Sequence, residues 1–168
     1  MANQENDTVE KMIKAYETML ERVNQVSDRA SPVLKNAINH ARETAVEMGE
    51  LSREEADKIA NYIERDMKDA ASFIVETGQD FRDWFKFDAQ LIETKFYDMF
   101  ASVADQTSVE LNKLAEKARR AGFLHTGEIT GPGTLECVAC GEQLHFKKTG
   151  HIPPCPKCHA TEYKRVNG

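Results

Sequence analysis

The sequence is short of the features that usually announce an activity or an address. No apolar run approaches the roughly 20 residues that cross a bilayer, so no membrane span is expected. The first residues, Met1 to Asp7, are polar and acidic, with neither the basic nor the apolar region of a secretory signal. The expected address is the cytoplasm. Positive charge is in deficit: 22 Lys+Arg stand against 28 Asp+Glu, a formal charge of −6. That balance argues against wholesale coating of nucleic acid. Catalytic signatures are missing as well, since there is no nucleophile elbow, no HExxH and no Walker loop. The chain does not read as an enzyme.

Cysteine is scarce too, but the four present are placed with purpose. They form two pairs in the last quarter, Cys137-x-x-Cys140 and Cys155-x-x-Cys158. Each pair can wrap one side of a small cation, and two pairs supply four thiolates in tetrahedral array, which is what a structural zinc ion requires. A disulfide framework would need an oxidising compartment, for which no signal is seen. A redox pair of thioredoxin type would open a helix inside a βαβ unit, whereas these pairs lie among Gly, Pro and short alternating runs. Iron in a rubredoxin-like site remains chemically open, because tetrahedral sulfur suits both metals. The expectation is one Zn²⁺ per chain on Cys137, Cys140, Cys155 and Cys158. His125, His145, His151 and His159 read as surface residues or supports, with His159, beside Cys158, the best placed to substitute for a thiolate.

Before the cysteines the pattern is helical. Val9, Met12, Tyr16, Met19, Val23, Val26 and Ala30 alternate spacings of three and four, predicting a helix over about 6–29. Ser31-Pro32 offers an N-cap and first-turn proline, and Leu34, Ile38, Ala41, Ala45 and Met48 continue a stripe to Gly49, a C′ candidate. Ser52 and Glu55 form a capping box ahead of Ile59, Ile63, Met67, Ala70 and Ile74. A fourth helical segment over 81–103 is rich in Phe and carries the only Trp, and a last helix is expected over 107–121, ending at Gly122. Packing in an antiparallel bundle or coiled coil accounts for every stripe, and so much apolar surface also suggests a homo-oligomer. Asp57, Glu64, Asp66 and Asp69 read as a solvated helix face rather than a carboxylate site.

Beyond residue 122 the period shortens. Residues 134–137, 143–146 and 161–166 are β-like runs, a three-stranded sheet too small to bury a core without a metal. Gly127, Gly131, Pro132 and Gly133 read as a turn-rich lead-in. Gly141 suits a positive φ after the first cysteine pair, and His159 occupies the matching place after the second. Lys147, Lys148, Lys157, Lys164 and Arg165 nearly balance Glu128, Glu136, Glu142 and Glu162, so the acidic excess belongs to the helical part. The expected class is mainly-α α+β, with a helical domain over 1–122 and a zinc ribbon over 123–168.

These residues resemble the YbeL-like family of bacterial zinc ribbon-containing proteins, whose function is uncharacterised. The resemblance rests on Gly49, Glu50, Leu51 and Ser52, on Ala56-Asp57 and on Arg65-Asp66. In the ribbon it rests on His125, Thr126, Gly127, Glu128, Ile129, Gly131, Gly133, Leu135 and the two cysteine pairs. His159 departs from the pattern, since such ribbons usually carry glycine there. A helical region plus a ribbon is implied, but no reaction.

Two kinds of partner then compete. A stalk presenting a rigid, metal-stapled head suits a protein partner. Phe146-Lys147-Lys148 and Tyr163-Lys164-Arg165 set an aromatic beside two cations on each of two strands, the pairing that weak binding of single-stranded nucleic acid would use. The protein partner is the expectation.

Overall fold

The computed structural model describes residues 2–30, 34–77, 116 and 122–166. The predicted segment at 81–103, the Ser31-Pro32 cap and, apart from Glu116, the predicted helix at 107–121 lie outside these residues. The chain divides into two compact units, Met1–Glu64 and Arg65–Gly168. Among the described residues no helix is long and apolar enough to cross a membrane.

The first unit holds α1 (Ala2–Ala30), α2 (Leu34–Glu47) and the start of α3 (Arg53–Thr77). The three-four stripe of α1 becomes its buried face at Tyr16, Met19 and Val23, joined by Leu20. Ala37, Ile38, Ala41 and Ala45 are the buried positions of α2, and α1 and α2 pack on one another. Met48, expected to extend that stripe, is 64% exposed. The helix has already ended there: the Gly49 N–H donates to the Val46 carbonyl and the Glu50 N–H to the Ala45 carbonyl, with Gly49 at φ 70°. This pair of bonds is a Schellman closure, which needs a left-handed residue and finds it in glycine. Three residues on, α3 opens through the capping box. Glu55 N–H donates to Ser52 Oγ at 3.1 Å, and Ser52 N–H donates to Glu55 Oε2 at 3.0 Å.

Among the described residues, the second unit combines the rest of α3 with six short strands. These are β1 (Leu124–His125), β2 (Ile129–Thr130), β3 (Gly133–Cys137), β4 (Gln143–Phe146), β5 (Gly150–His151) and β6 (Glu162–Arg165). All pairings are antiparallel, in a four-stranded sheet of order β1-β6-β3-β4 and a separate pair β2-β5. The three predicted strands are present as β3, β4 and β6. Sequence reading missed β1 and the β2-β5 pair, because two-residue strands carry no alternation to detect. The lead-in expected as turns holds β2, and Ile129, Thr130, Gly131, Pro132 and Gly133 are all buried. Leu124, Leu135, Ile152 and Tyr163 form a small core with Cys137 and Cys155. Two of its six members are thiols, so core and candidate site are one object.

Candidate metal centre

Each cysteine pair sits in the same backbone turn. In the first, the Gly141 N–H donates to the Cys137 carbonyl at 2.9 Å and the Cys137 N–H to the Glu142 carbonyl at 2.8 Å. In the second, the His159 N–H donates to the Cys155 carbonyl at 2.9 Å and the Cys155 N–H to the Ala160 carbonyl at 2.9 Å. The residue closing each turn has the positive φ expected of it, 77° at Gly141 and 62° at His159. Strand β3 delivers Cys137 directly opposite Tyr163 of β6, and this register brings the two turns face to face.

The four sulfur atoms all lie within 4.8 Å of one another, and none is in a disulfide. Cys137 and Cys158 approach to 3.6 Å, as do Cys140 and Cys155, each contact joining one pair to the other. Four sulfurs held about 2.3 Å from one zinc would stand about 3.8 Å apart, so the donor set fits the ion in number, type and spacing. The thiols influence one another strongly. Burial works against the Cys155 thiolate, but the Cys158 and Lys157 amides and the neighbouring thiols bring it down to about 7. The Glu142 amide favours the Cys140 thiolate, yet desolvation and the other three thiols push that group up to about 12. Ionising all four together therefore calls for a cation to take up the charge.

Among the described residues the cluster contains no histidine. His159 contributes backbone to its turn, His145 Nδ1 bonds Thr134 Oγ1 at 3.0 Å, and His125 lies 3.7 Å from both Glu128 and Glu162. A non-glycine residue in the left-handed region is strained by about 1–2 kcal/mol. His159→Gly is accordingly expected to stabilise the second turn by about 1 kcal/mol, tightening zinc roughly fivefold. Competition with a chelator reads this, and an unchanged or weaker affinity would show that the turn is not strained.

The aromatic and basic residues considered for nucleic acid are differently disposed. Tyr163 is wholly buried, its hydroxyl donating to the Pro153 carbonyl at 2.8 Å. Burial and the surrounding thiols push that hydroxyl up to about 12. Phe146 packs on the core and over Gly150. Lys164 pairs with Glu136 at 2.9 Å, and the Arg165 side chain is 5% exposed, paired with Asp66 and Asp69. Lys147 and Lys148 stay exposed. The same pairing corrects the solvated-face reading for Asp66 and Asp69, whereas the Asp57 side chain is 46% exposed beside Arg42. Asp66 is 1% exposed, and both it and Asp69 face a guanidinium rather than water. No local signal could have found this, since the partner lies 99 residues further along the chain.

A strand-built frame holding four convergent thiols is the arrangement of a zinc ribbon, and the comparisons agree. The family described as a zinc-ribbon containing domain matches residues 21–167, and the chain belongs to it. Curated relatives named "Uncharacterized protein YbeL", in Escherichia coli K12 and in Escherichia coli O157:H7, are each 27% identical over 128 residues. The matched stretch covers 76% of this chain and 79% of either relative. No solved structure matches. Family and thiol cluster together make this a zinc-binding chain.

Proposed function

We propose that the protein acts by binding, as a zinc-stapled interaction module. One Zn²⁺ per chain is held by Cys137, Cys140, Cys155 and Cys158, and the helical region, as a bundle or coiled coil, presents the ribbon to a macromolecular partner in the cytoplasm. The observation that carries this reading is the convergence of four thiols within 4.8 Å. Four thiolates close the coordination shell of zinc, and a catalytic zinc needs an open position. The metal's contribution is folding energy, and the ribbon's own residues supply shape. Catalysis is not proposed.

A protein partner is favoured over nucleic acid because Lys147 and Lys148 stay exposed but the second aromatic-cation group, on β6, is occupied. Tyr163 is in the core, and Arg165 and Lys164 are engaged with carboxylates. The test is a pull-down from the native cell with the zinc-loaded full chain, beside a variant in which all four cysteines are serine. A protein partner retained only by the loaded chain is the expected result. Equal capture by both would remove the ribbon from the interaction. Recovery of nucleic acid that is lost steeply with added salt would favour the other partner class.

Self-association through the helices belongs to the same proposal, on the strength of the large apolar side chains that the sequence sets between 81 and 103. Light scattering at micromolar concentration and above is expected to show more than a monomer, and a monomer would remove it.

A further inference from the structure

The most heavily buried charges in the described residues are not at the thiol cluster. They lie on α3, where Asp66, 1% exposed, is surrounded by donors. Asp66 Oδ2 accepts the backbone N–H of Gly131 at 2.8 Å, and Oδ1 accepts Arg65 Nε at 3.0 Å and the guanidinium of Arg165 in a short contact. Arg165 Nε also donates to Asp69 at 3.1 Å, and its NH1 to Thr130 Oγ1 at 3.3 Å. Arg65 completes the set, donating to Glu128 and to the Ile129 carbonyl, each at 2.7 Å. One and a half turns of helix thereby grip the ribbon in three places: the turn and strand at Glu128 and Ile129, the lead-in at Gly131, and β6 at Arg165.

Two of the three anchors, at Gly131 and Arg165, lie on or run into the sheet that the thiol cluster staples, and the third, at Glu128, follows its edge strand β1. Strand β6 follows the second cysteine turn and pairs with β3, whose last residue is Cys137; the lead-in at Gly131 runs directly into β3. Removing the cation from a domain with so small a core dissolves the sheet. Arg165, Gly131 and Glu128 would then lose their positions together. A buried carboxylate deprived of its counter-ion is far more destabilising than the intact pair is stabilising. Burial already pushes the Asp69 carboxyl up, and the nearby Arg165 charge is the main force opposing it.

We infer that this network makes residues 65–71 of α3 a metal-conditional surface. With zinc in the ribbon the Asp66 and Asp69 carboxylates are covered and neutralised. When zinc leaves, they are released to water as an acidic helix face that the loaded protein does not display. Metal state is thus converted into a change at a helix whose residues bind no metal. The inference rests on the zinc-ribbon reading above, and Arg165 is its positioning residue.

Hydrogen exchange on the full chain, read by mass spectrometry beside elemental analysis, tests it. Chelation is expected to lower protection of amides 66–72 at least tenfold together with those of β3, while amides 12–22 of α1 change less than twofold. Arg165→Met, checked to retain its zinc and a protected β3, is expected to show the same loss over 66–72. Arg165→Lys should recover part of it. If chelation frees the β3 amides while 66–72 stay within twofold of the loaded protein, the inference is overturned and the zinc reading stands. A wild-type chain that holds no zinc would overturn both. The chelation arm needs no variant, so failure of Arg165→Met to fold leaves the question decided by the wild type.

Discussion

Replacing Cys155 by serine is expected to leave the purified chain without stoichiometric zinc and the ribbon without its sheet. The residue is 0% exposed and belongs at once to the core and to the thiol cluster, so the substitution removes a ligand and places a hydroxyl among apolar neighbours. What remains to hold β3, β4 and β6 is Leu124, Leu135, Ile152 and Tyr163 with a few half-buried companions. A core of that size seldom supports a domain unaided. Metal binding contributes about 10–16 kcal/mol of apparent folding free energy in small zinc domains. The wild-type chain should be colourless, with about one zinc by elemental analysis. Its ribbon amides should be dispersed in a nitrogen–proton spectrum and collapse in the variant. A Cys155→Ser protein that kept both zinc and dispersed ribbon amides would show that four thiolates are not required. A red iron–thiolate spectrum in native preparations would assign the site to the other metal.

Tyr163→Ala is expected to have the next largest effect. The ring is fully buried beside the thiols, opposite Cys137 in the register of β3 and β6, and its hydroxyl reaches the Pro153 carbonyl just before the second cysteine pair. Truncating a buried aromatic costs about 3–5 kcal/mol. Because the ribbon folds with its metal, that loss should appear as a zinc affinity lower by roughly two to four orders of magnitude. Tyr163→Phe removes only the hydrogen bond to Pro153 and should cost about 1 kcal/mol. Chelator competition on the full chain measures both. If Tyr163→Ala left zinc affinity unchanged, the residue would be a surface aromatic available to a base after all.

Tyr163 also shows where sequence reading stops. On a strand of four residues, one aromatic set between an acid and two cations suits either a stacking platform or a core residue flanked by charges. The choice depends on which face the sheet covers. That was set by the pairing of Tyr163 with Leu124 on one side and Cys137 on the other, neither of which is near it in the chain. Arg165 changed meaning for the same reason, from a phosphate-facing cation to the counter-ion of Asp66 and Asp69.

Where the physics is local, the chain's own residues settled the outcome. The capping box at Ser52 and Glu55, the closure at Gly49 and the left-handed turns at Gly141 and His159 each need only a few consecutive residues. Their geometry follows from sterics and hydrogen bonding within those residues. The cysteine spacing is legible for a related reason: each pair lies within one turn, and only the meeting of the two turns is long-range. The tertiary structure alone decided that Asp66 is buried and Asp69 largely covered, and that a two-residue strand extends the sheet past β6. Those outcomes turn on desolvation and on partners brought from distant parts of the chain, and a charge or methyl group carries no mark in the sequence of what will cover it.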